Sequence, residues 1–324
     1  MTLLDSFGRA HTYLRLSITD RCNFRCVYCL PKEGVQWQDR SDLLTYEEIA
    51  RVVHIFGALG IKKIRITGGE PTMRADIARL IFLLKHILGI EEINMTTNGY
   101  TLKKLAKPLL SAGLSRLNVS LDTLDPQTFQ KLSRGFSLEP VLTGIQEAKK
   151  VGFRNIKINA VLLKGINDRD LWSLLSYCSE HQLSLRFIEY MPFEARWYQC
   201  VTEEEIRNQI STKYTLIPQL KNKTTGPAVP YFIPELNLNV GFISPLSKRF
   251  CQGCNRLRLM SNGSLRTCLA HEDVPSLRDL LRAGATDTKI AEQIQSQVYG
   301  KAEGHFCNVD SGSTFQGIMT KIGG

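Results

Sequence analysis

Two hydrophobic periodicities alternate along the first two-thirds of this chain, and their alternation leaves few folds open. Thr12 to Ile18 alternates apolar and polar residues, as a strand with one buried face does. Thr45 and Glu48 have the spacing of a capping box, and Ile49, Val52, Val53, Phe56 and Leu59 then follow helical spacing. The same succession repeats. Strand pattern recurs over Ile61 to Thr67, Glu92 to Thr97, Arg116 to Leu121, Asn155 to Leu163 and Leu185 to Tyr190. Helical pattern recurs over Ala75 to Leu88, over Leu102 to Leu110, and from Asp125-Pro126, where Asp caps and Pro takes the first position. Alternation of this kind means a parallel sheet with helices outside it. The expected fold is α/β, an incomplete (β/α)6 TIM-type barrel; an open doubly wound sheet is the competing arrangement. In both, ligands sit at the carboxyl ends of the strands.

The pattern changes after about residue 214. Lys221 to Pro230 is polar, with Gly and two Pro, and reads as a loop. Short strands are expected over Tyr231 to Ile233, Leu238 to Ile243, Arg256 to Met260 and Ser264 to Cys268, followed by two amphipathic helices. The expected division is therefore a barrel over 1–214 and a C-terminal antiparallel β plus helical region over 215–324, closing the barrel mouth.

The polar motifs cluster where the strands end. After the first strand comes Asp20-Arg21-Cys22-Asn23-Phe24-Arg25-Cys26-Val27-Tyr28-Cys29. Three clustered thiolates are one short of a closed tetrahedral zinc site, and one short of saturating a 4Fe–4S cluster. A cluster held by three cysteines leaves one iron open to a small molecule, which chemistry needs and a purely structural cluster does not. Gly68-Gly69-Glu70-Pro71 after the next strand exposes backbone to a ligand.

A second set, Cys251, Cys254 and Cys268, lies in the C-terminal region. His271 is the one nearby residue that would complete a zinc site; a second cluster with an open iron is the alternative. Arg256 and Arg258 alternate on the strand beside it, with Arg266 near the third cysteine. Guanidinium groups so placed bind phosphate in bidentate fashion.

Bulk properties agree with metal and anion chemistry. Hydrophobic content of 43% and charged content of 22% describe a soluble globular protein. No apolar run is long enough to span a bilayer, and the N-terminus has no signal-peptide pattern, so a cytoplasmic location is expected. Nine cysteines without such a signal favour metal binding over disulfides. The net charge of +10 (41 − 31) favours anionic partners, although charge alone does not separate an anion site from a basic solvated surface. A zinc-ribbon nucleic-acid-binding protein would interleave aromatic and basic residues, and 251–268 does not.

With the first cysteine run and Gly-Gly-Glu-Pro in hand, the sequence resembles the radical S-adenosylmethionine (SAM) superfamily. With the second cysteine set, Asn255-Arg256-Leu257-Arg258 and the terminal Gly323-Gly324, it resembles the GTP 3′,8-cyclase (molybdenum cofactor biosynthesis protein A) family within it. The resemblance implies two 4Fe–4S clusters, on Cys22, Cys26 and Cys29 and on Cys251, Cys254 and Cys268, with SAM as co-substrate. It implies SAM contacts at Tyr28, Gly69, Ser120 and Met191. It implies GTP contacts at Arg15, Lys63, Arg65, Thr96, Lys157, Arg186, Arg256 and Arg258, on successive strand ends. Arg15 and the Gly323-Gly324 tail are implied to take part in catalysis. Implied partners are an external one-electron donor, a downstream cyclic pyranopterin monophosphate synthase and a second copy in a homodimer, with neither nucleic acid nor membrane. Another radical SAM enzyme with an auxiliary cluster is the alternative reading. Cys178, Cys200 and Cys307 match no expected ligand and read as ordinary thiols.

Overall fold

The computed structural model describes residues 2–193, 199–220, 226–271, 274–304, 319–320 and 322. Six strand–helix units open the chain: β1 (Tyr13–Ser17), α1 (Tyr46–Ala58), β2 (Lys63–Thr67), α2 (Ile77–Lys85), β3 (Glu92–Thr97), α3 (Leu102–Ser111), β4 (Arg116–Ser120), α4 (Pro126–Ser133), α5 (Glu139–Lys150), β5 (Ile156–Ala160), α6 (Leu171–Glu180), β6 (Ser184–Ile188) and α7 (Glu203–Ser211). There follow β7 (Ile217–Pro218), β8 (Val229–Ile233), β9 (Leu238–Ile243), β10 (Arg256–Leu259), β11 (Ser264–Arg266), β12 (Val274–Ser276), α8 (Leu277–Arg282) and α9 (Asp287–Tyr299).

Local chemistry explains the helix starts. The Thr45 hydroxyl accepts from the Glu48 N–H at 3.1 Å while the Glu48 carboxylate accepts from the Thr45 N–H at 2.7 Å, completing the expected box. Asp125 caps α4 by accepting from the Thr128 N–H at 2.7 Å. Between β4 and β5 there are two helices, because Arg134 (φ 57°) and Gly135 (φ 110°) take left-handed conformations that stop α4.

The strands form one sheet in the order β12-β11-β10-β1-β2-β3-β4-β5-β6-β9-β8-β7. Strands β1 to β6 pair in parallel, in chain order. The C-terminal strands correct the expectation in one respect. β8 with β9, and β10 with β11, are antiparallel, but β9 joins β6 in parallel and β10 joins β1 in parallel. Each C-terminal hairpin thus extends an edge of the barrel sheet, and hydrogen bonding runs across residue 214 without interruption. Both edges of a six-stranded parallel sheet present unpaired backbone groups, and these additions satisfy them.

The two faces of the sheet differ sharply. One carries Leu14, Leu16, Ile64, Ile66, Ile93, Met95, Leu117, Val119, Ile158 and Leu185, all buried against the helices in a single core. Residues such as Phe56 of α1 and Leu109 of α3 complete it. Each fully buried side chain of this size contributes about 1.5–3 kcal/mol. The alternate positions face inward and are polar, as the next section describes. No helix among the described residues is long and apolar enough to cross a membrane.

Candidate active site

Strand register brings the inward-facing cations together. Directly paired residues share a face of a sheet. Arg258, Arg15, Arg65, Asn94 and Arg116 form one continuous row across β10, β1, β2, β3 and β4. Arg256, Tyr13, Lys63 and Glu92 form the row beneath it. Farther round, Asn118 pairs with Lys157, and Asn159 with Arg186. An ordinary TIM barrel fills this space with branched apolar side chains. Here it is a basic lumen with Glu92 as the one carboxylate in these rows.

The electrostatics record that crowding. Burial, then the charges of Arg186, Arg116 and Arg65, brings Lys157 down to about 8. Burial, then Arg65, brings Arg186 down to about 10. Arg15 also comes down to about 10, chiefly by burial. Arg258 is lowered well below the ordinary guanidinium value by burial and by Arg15 and Arg256. Such a set is relieved by a multiply charged anion.

Each expected contact can be placed. Arg65 donates to the Tyr13 hydroxyl, and its Nη1 lies 3.4 Å from Thr96 Oγ1. Lys63 Nζ is 3.0 Å from Glu92 Oε2, while Arg116 Nε is 2.8 Å from Glu92 Oε1. The Arg256 guanidinium sits over the Phe250 ring at 4.7 Å. The expectation that these residues lie at strand ends is corrected: Lys63 and Arg256 open their strands, and Arg15, Arg65 and Arg186 stand in the middle of theirs. The cations therefore line the depth of the lumen rather than its rim.

The first cysteine site follows β1. The β2 loop pairs with it closely: the Gly69 N–H donates to the Thr19 carbonyl at 2.7 Å, and the Glu70 N–H to the Arg21 carbonyl at 2.8 Å. A Cβ on Gly69 would stand 2.3 Å from the Arg21 oxygen, so glycine is required there. Since its N–H is committed, Gly69 could meet an amine only through its carbonyl. The buried Glu70 carboxylate accepts from Thr72, Thr97 and the Asn98 N–H, bracing the loops after β2 and β3. Asn98 in turn donates to Asn23 within the cysteine run at 2.8 Å. Tyr28 donates to Asp122 just beyond β4, whose other oxygen accepts from the Val161 N–H at 2.9 Å. Ser120 ends β4 beside this clamp. Met191 packs after β6 against a small cluster of Phe193, Leu246, Met260 and Ile322.

The second site follows β9. Cys254 donates its N–H to the Cys251 carbonyl at 3.1 Å in a tight turn. Burial pushes the Cys254 thiol up, but Arg256 and Lys301 outweigh it and bring it down to about 7. The free thiols Cys251, Cys254 and Cys268 interact electrostatically, so they lie near one another, as do Cys22, Cys26 and Cys29. Among the described residues no three Cys, His, Asp or Glu side chains converge on a single ion. His271 Nε2 instead lies 3.1 Å from the Gly304 carbonyl. A Cβ on Gly304 would stand 3.3 Å from Cys251 Sγ, so the chain passes close over that sulfur. Three neighbouring thiols, one of them held toward thiolate, are a donor set of the kind a metal–sulfur group takes.

The tail enters the same space. Ile322 is buried, and its carbonyl accepts from Arg258 Nη1 at 3.3 Å. Gly323, Gly324 and Cys307 lie outside the described residues. Cys178 is buried in the core, its thiol pushed up to about 12 by burial, and Cys200 accepts from the Tyr190 N–H at 3.1 Å. Sequence reasoning missed Arg116 and Lys301. Alternation from Ser120 back through Asn118 would have found Arg116; nothing in sequence pointed to Lys301, which is 47 positions from Cys254.

Comparisons with known proteins agree with this geometry. Residues 16–178 match the Radical SAM superfamily and residues 183–307 match Molybdenum Cofactor Synthesis C. A GTP 3′,8-cyclase of Tolumonas auensis is 42% identical, over 100% of this chain and 97% of its own. The mitochondrial GTP 3′,8-cyclase of Arabidopsis thaliana is 38% identical over 99% and 83%. The crystal structure of Streptococcus suis SuiB shares the fold with a TM-score of 0.62 at 17% identity, over 85% of this chain and 66% of that one. A partial-barrel fold and 42% identity along the whole chain carry the assignment, and the chain belongs to the GTP 3′,8-cyclase family of the radical SAM superfamily.

Proposed function

We propose that this enzyme converts GTP to (8S)-3′,8-cyclo-7,8-dihydroguanosine 5′-triphosphate, an early step in making the molybdenum cofactor. The observation that carries the reading is the row of cations running from Arg258 through Arg15 and Arg65 to Arg116, beside Cys254 and Cys268 and on the same sheet whose β1 leads into the first cysteine run. Cys22, Cys26 and Cys29 would hold a 4Fe–4S cluster that, given one electron by an external donor, would cleave SAM to methionine and a 5′-deoxyadenosyl radical.

The chain's own residues have separate tasks. Arg15, Lys63, Arg65, Thr96, Lys157 and Arg186 hold the triphosphate, whose roughly four negative charges offset the crowded cations. Arg256 and Arg258 orient the nucleotide toward Cys251, Cys254 and Cys268, which would hold a second cluster able to bind the guanine base. Gly69 offers its carbonyl to the SAM amine and Ser120 its hydroxyl to the carboxylate. Tyr28 fixes the cysteine loop through Asp122, and Met191 gives adenine an apolar contact. Fixing the ribose between two anchored ends limits side reactions of the radical. Arg15, paired with Arg258 across β1 and β10, and the Gly323-Gly324 tail take part in catalysis.

An anaerobic incubation with SAM, a reductant and each nucleoside triphosphate in turn tests the reading by scoring 5′-deoxyadenosine. Turnover is expected with GTP; equal turnover with ATP would refute guanine recognition. Two clusters correspond to about eight irons per chain. Deleting Gly323 and Gly324 is expected to abolish GTP turnover with both clusters retained. An external one-electron donor and a synthase that consumes the cyclised nucleotide complete the scheme.

A further inference from the structure

The segment after α9 crosses the second cysteine site, and one of its side chains meets a ligand sulfur. Lys301 is only 3% exposed. Its Nζ lies 3.5 Å from Cys254 Sγ and donates to the Arg256 carbonyl at 2.9 Å. Among the described residues, neither of these hydrogen-bond partners is a carboxylate. On the other flank, Arg9 donates to the Cys251 carbonyl at 3.0 Å and to the carbonyls of Ala302 and Glu303 at 2.7 and 2.5 Å. Arg9 is itself held by Asp5 at 2.6 Å. Residues 301–304 are thus strapped over the thiols, and Gly304 passes where a side chain would press on Cys251 Sγ.

Burying an ammonium without an opposite charge costs several kcal/mol, roughly, and a thiolate is the compensating charge at hand here. Hydrogen bonds to cluster sulfurs, and positive charge beside them, favour the reduced cluster. We propose that Lys301 is a positioning residue of the second site: it holds the Cys254 thiolate through a charge-assisted N–H···S bond and raises the reduction potential of the cluster there. The inference rests on the reading of Cys251, Cys254 and Cys268 as cluster ligands.

The test uses the full-length chain carrying Cys22→Ala, Cys26→Ala and Cys29→Ala, so that only the second site binds iron. This parent is compared with the same chain carrying Lys301→Met or Lys301→Arg, by iron analysis and by redox titration followed by electron paramagnetic resonance. The expected result is about four irons in each. The potential in Lys301→Met is expected to shift negative and in Lys301→Arg to return toward the parent. Loss of iron in Lys301→Met alone also supports the proposal, because the thiolates then need the charge to hold the cluster. Equal potentials in the parent and Lys301→Met overturn it, as does loss of iron in both variants, which would make volume rather than charge decisive. A parent without iron overturns the cluster reading itself, and is distinguished from the other failures by that measurement alone.

Discussion

The two cysteine sites have the same number of thiols and opposite electrical surroundings. At the first, burial holds the Cys22 thiol up and the Glu70 and Cys29 charges add to it; burial, then Cys29 and Asp122, does the same to Cys26. Both carboxylates are built in, Glu70 by Thr72, Thr97 and Asn98 and Asp122 by Tyr28 and Val161. At the second, burial still holds the Cys268 thiol up, but Arg256 and Lys301 overcome burial at Cys254 and bring it down to about 7. The thiols fix which metal group can be held. The charges around them select what can share it. On the proposed function, a cationic sulfonium would suit the carboxylate-flanked site, and a polyanionic nucleotide the cation-flanked one.

The sharpest way to break this comparison is to remove one thiol from each site. Cys22→Ala is expected to abolish 5′-deoxyadenosine formation, because no radical source remains. Cys268→Ala is expected to keep some SAM cleavage while losing the cyclised product, both scored by chromatography. Identical behaviour of the two variants would mean that the sites are not functionally distinct.

A pH effect sharpens the cationic side. Burial, then the charge of Lys301, brings His11 down to about 4, against the pull of Asp5 at 3.0 Å. As pH falls, the unfolded chain takes up this proton near its ordinary value before the folded chain does. The associated stability is present above about 6.5 and lost on the way to pH 4, amounting to about 3 kcal/mol. Denaturant unfolding at pH 7 and pH 4 should show a larger loss in the natural chain than in His11→Gln; the same loss in both would count against this origin.

Within the lumen the expected effects are smaller. Arg258→Ala should weaken GTP binding by about 2 kcal/mol, roughly thirtyfold, while leaving SAM binding in place. Equilibrium binding of each ligand to the reconstituted protein measures both. Lys157, brought down to about 8 by burial and its cationic neighbours, must be protonated to hold phosphate. GTP affinity should therefore fall about tenfold between pH 7 and pH 9, and Lys157→Met should flatten that dependence.

How much of this was legible in the sequence varies with the range of the interaction. β3 occupies the expected Glu92–Thr97, and the Thr45–Glu48 box forms as read, since both depend on neighbours in sequence. α2 is shorter than Ala75 to Leu88, because Asp76 takes a left-handed conformation (φ 54°) just before it. The parallel joining of β9 to β6 and β10 to β1 was not legible: a strand's own pattern of alternation does not state its partner's direction. Arg256 and Arg258 could be read as sharing a face, but not as extending the rows of Tyr13–Lys63 and Arg15–Arg65, which the β1–β10 register creates. Lys301 and Arg9 carried no signal, since Lys301 is 47 positions from Cys254 and Arg9 is 242 from Cys251.

The sequence by itself determined the units of this protein: two sets of three cysteines, the strand–helix alternation, and the polar residues, many of them basic, that alternate with apolar ones along the strands. Those are properties of spacing, and spacing is local. Tertiary structure decided how they act together. Pairing β10 beside β1 brought the cations of Arg256 and Arg258 from the second cysteine site into the lumen, while the loops after β2 and β4 brought Glu70 and Asp122 to the first. Charge acts through space rather than along the chain, so only the fold could assign opposite environments to two nearly identical sets of ligands.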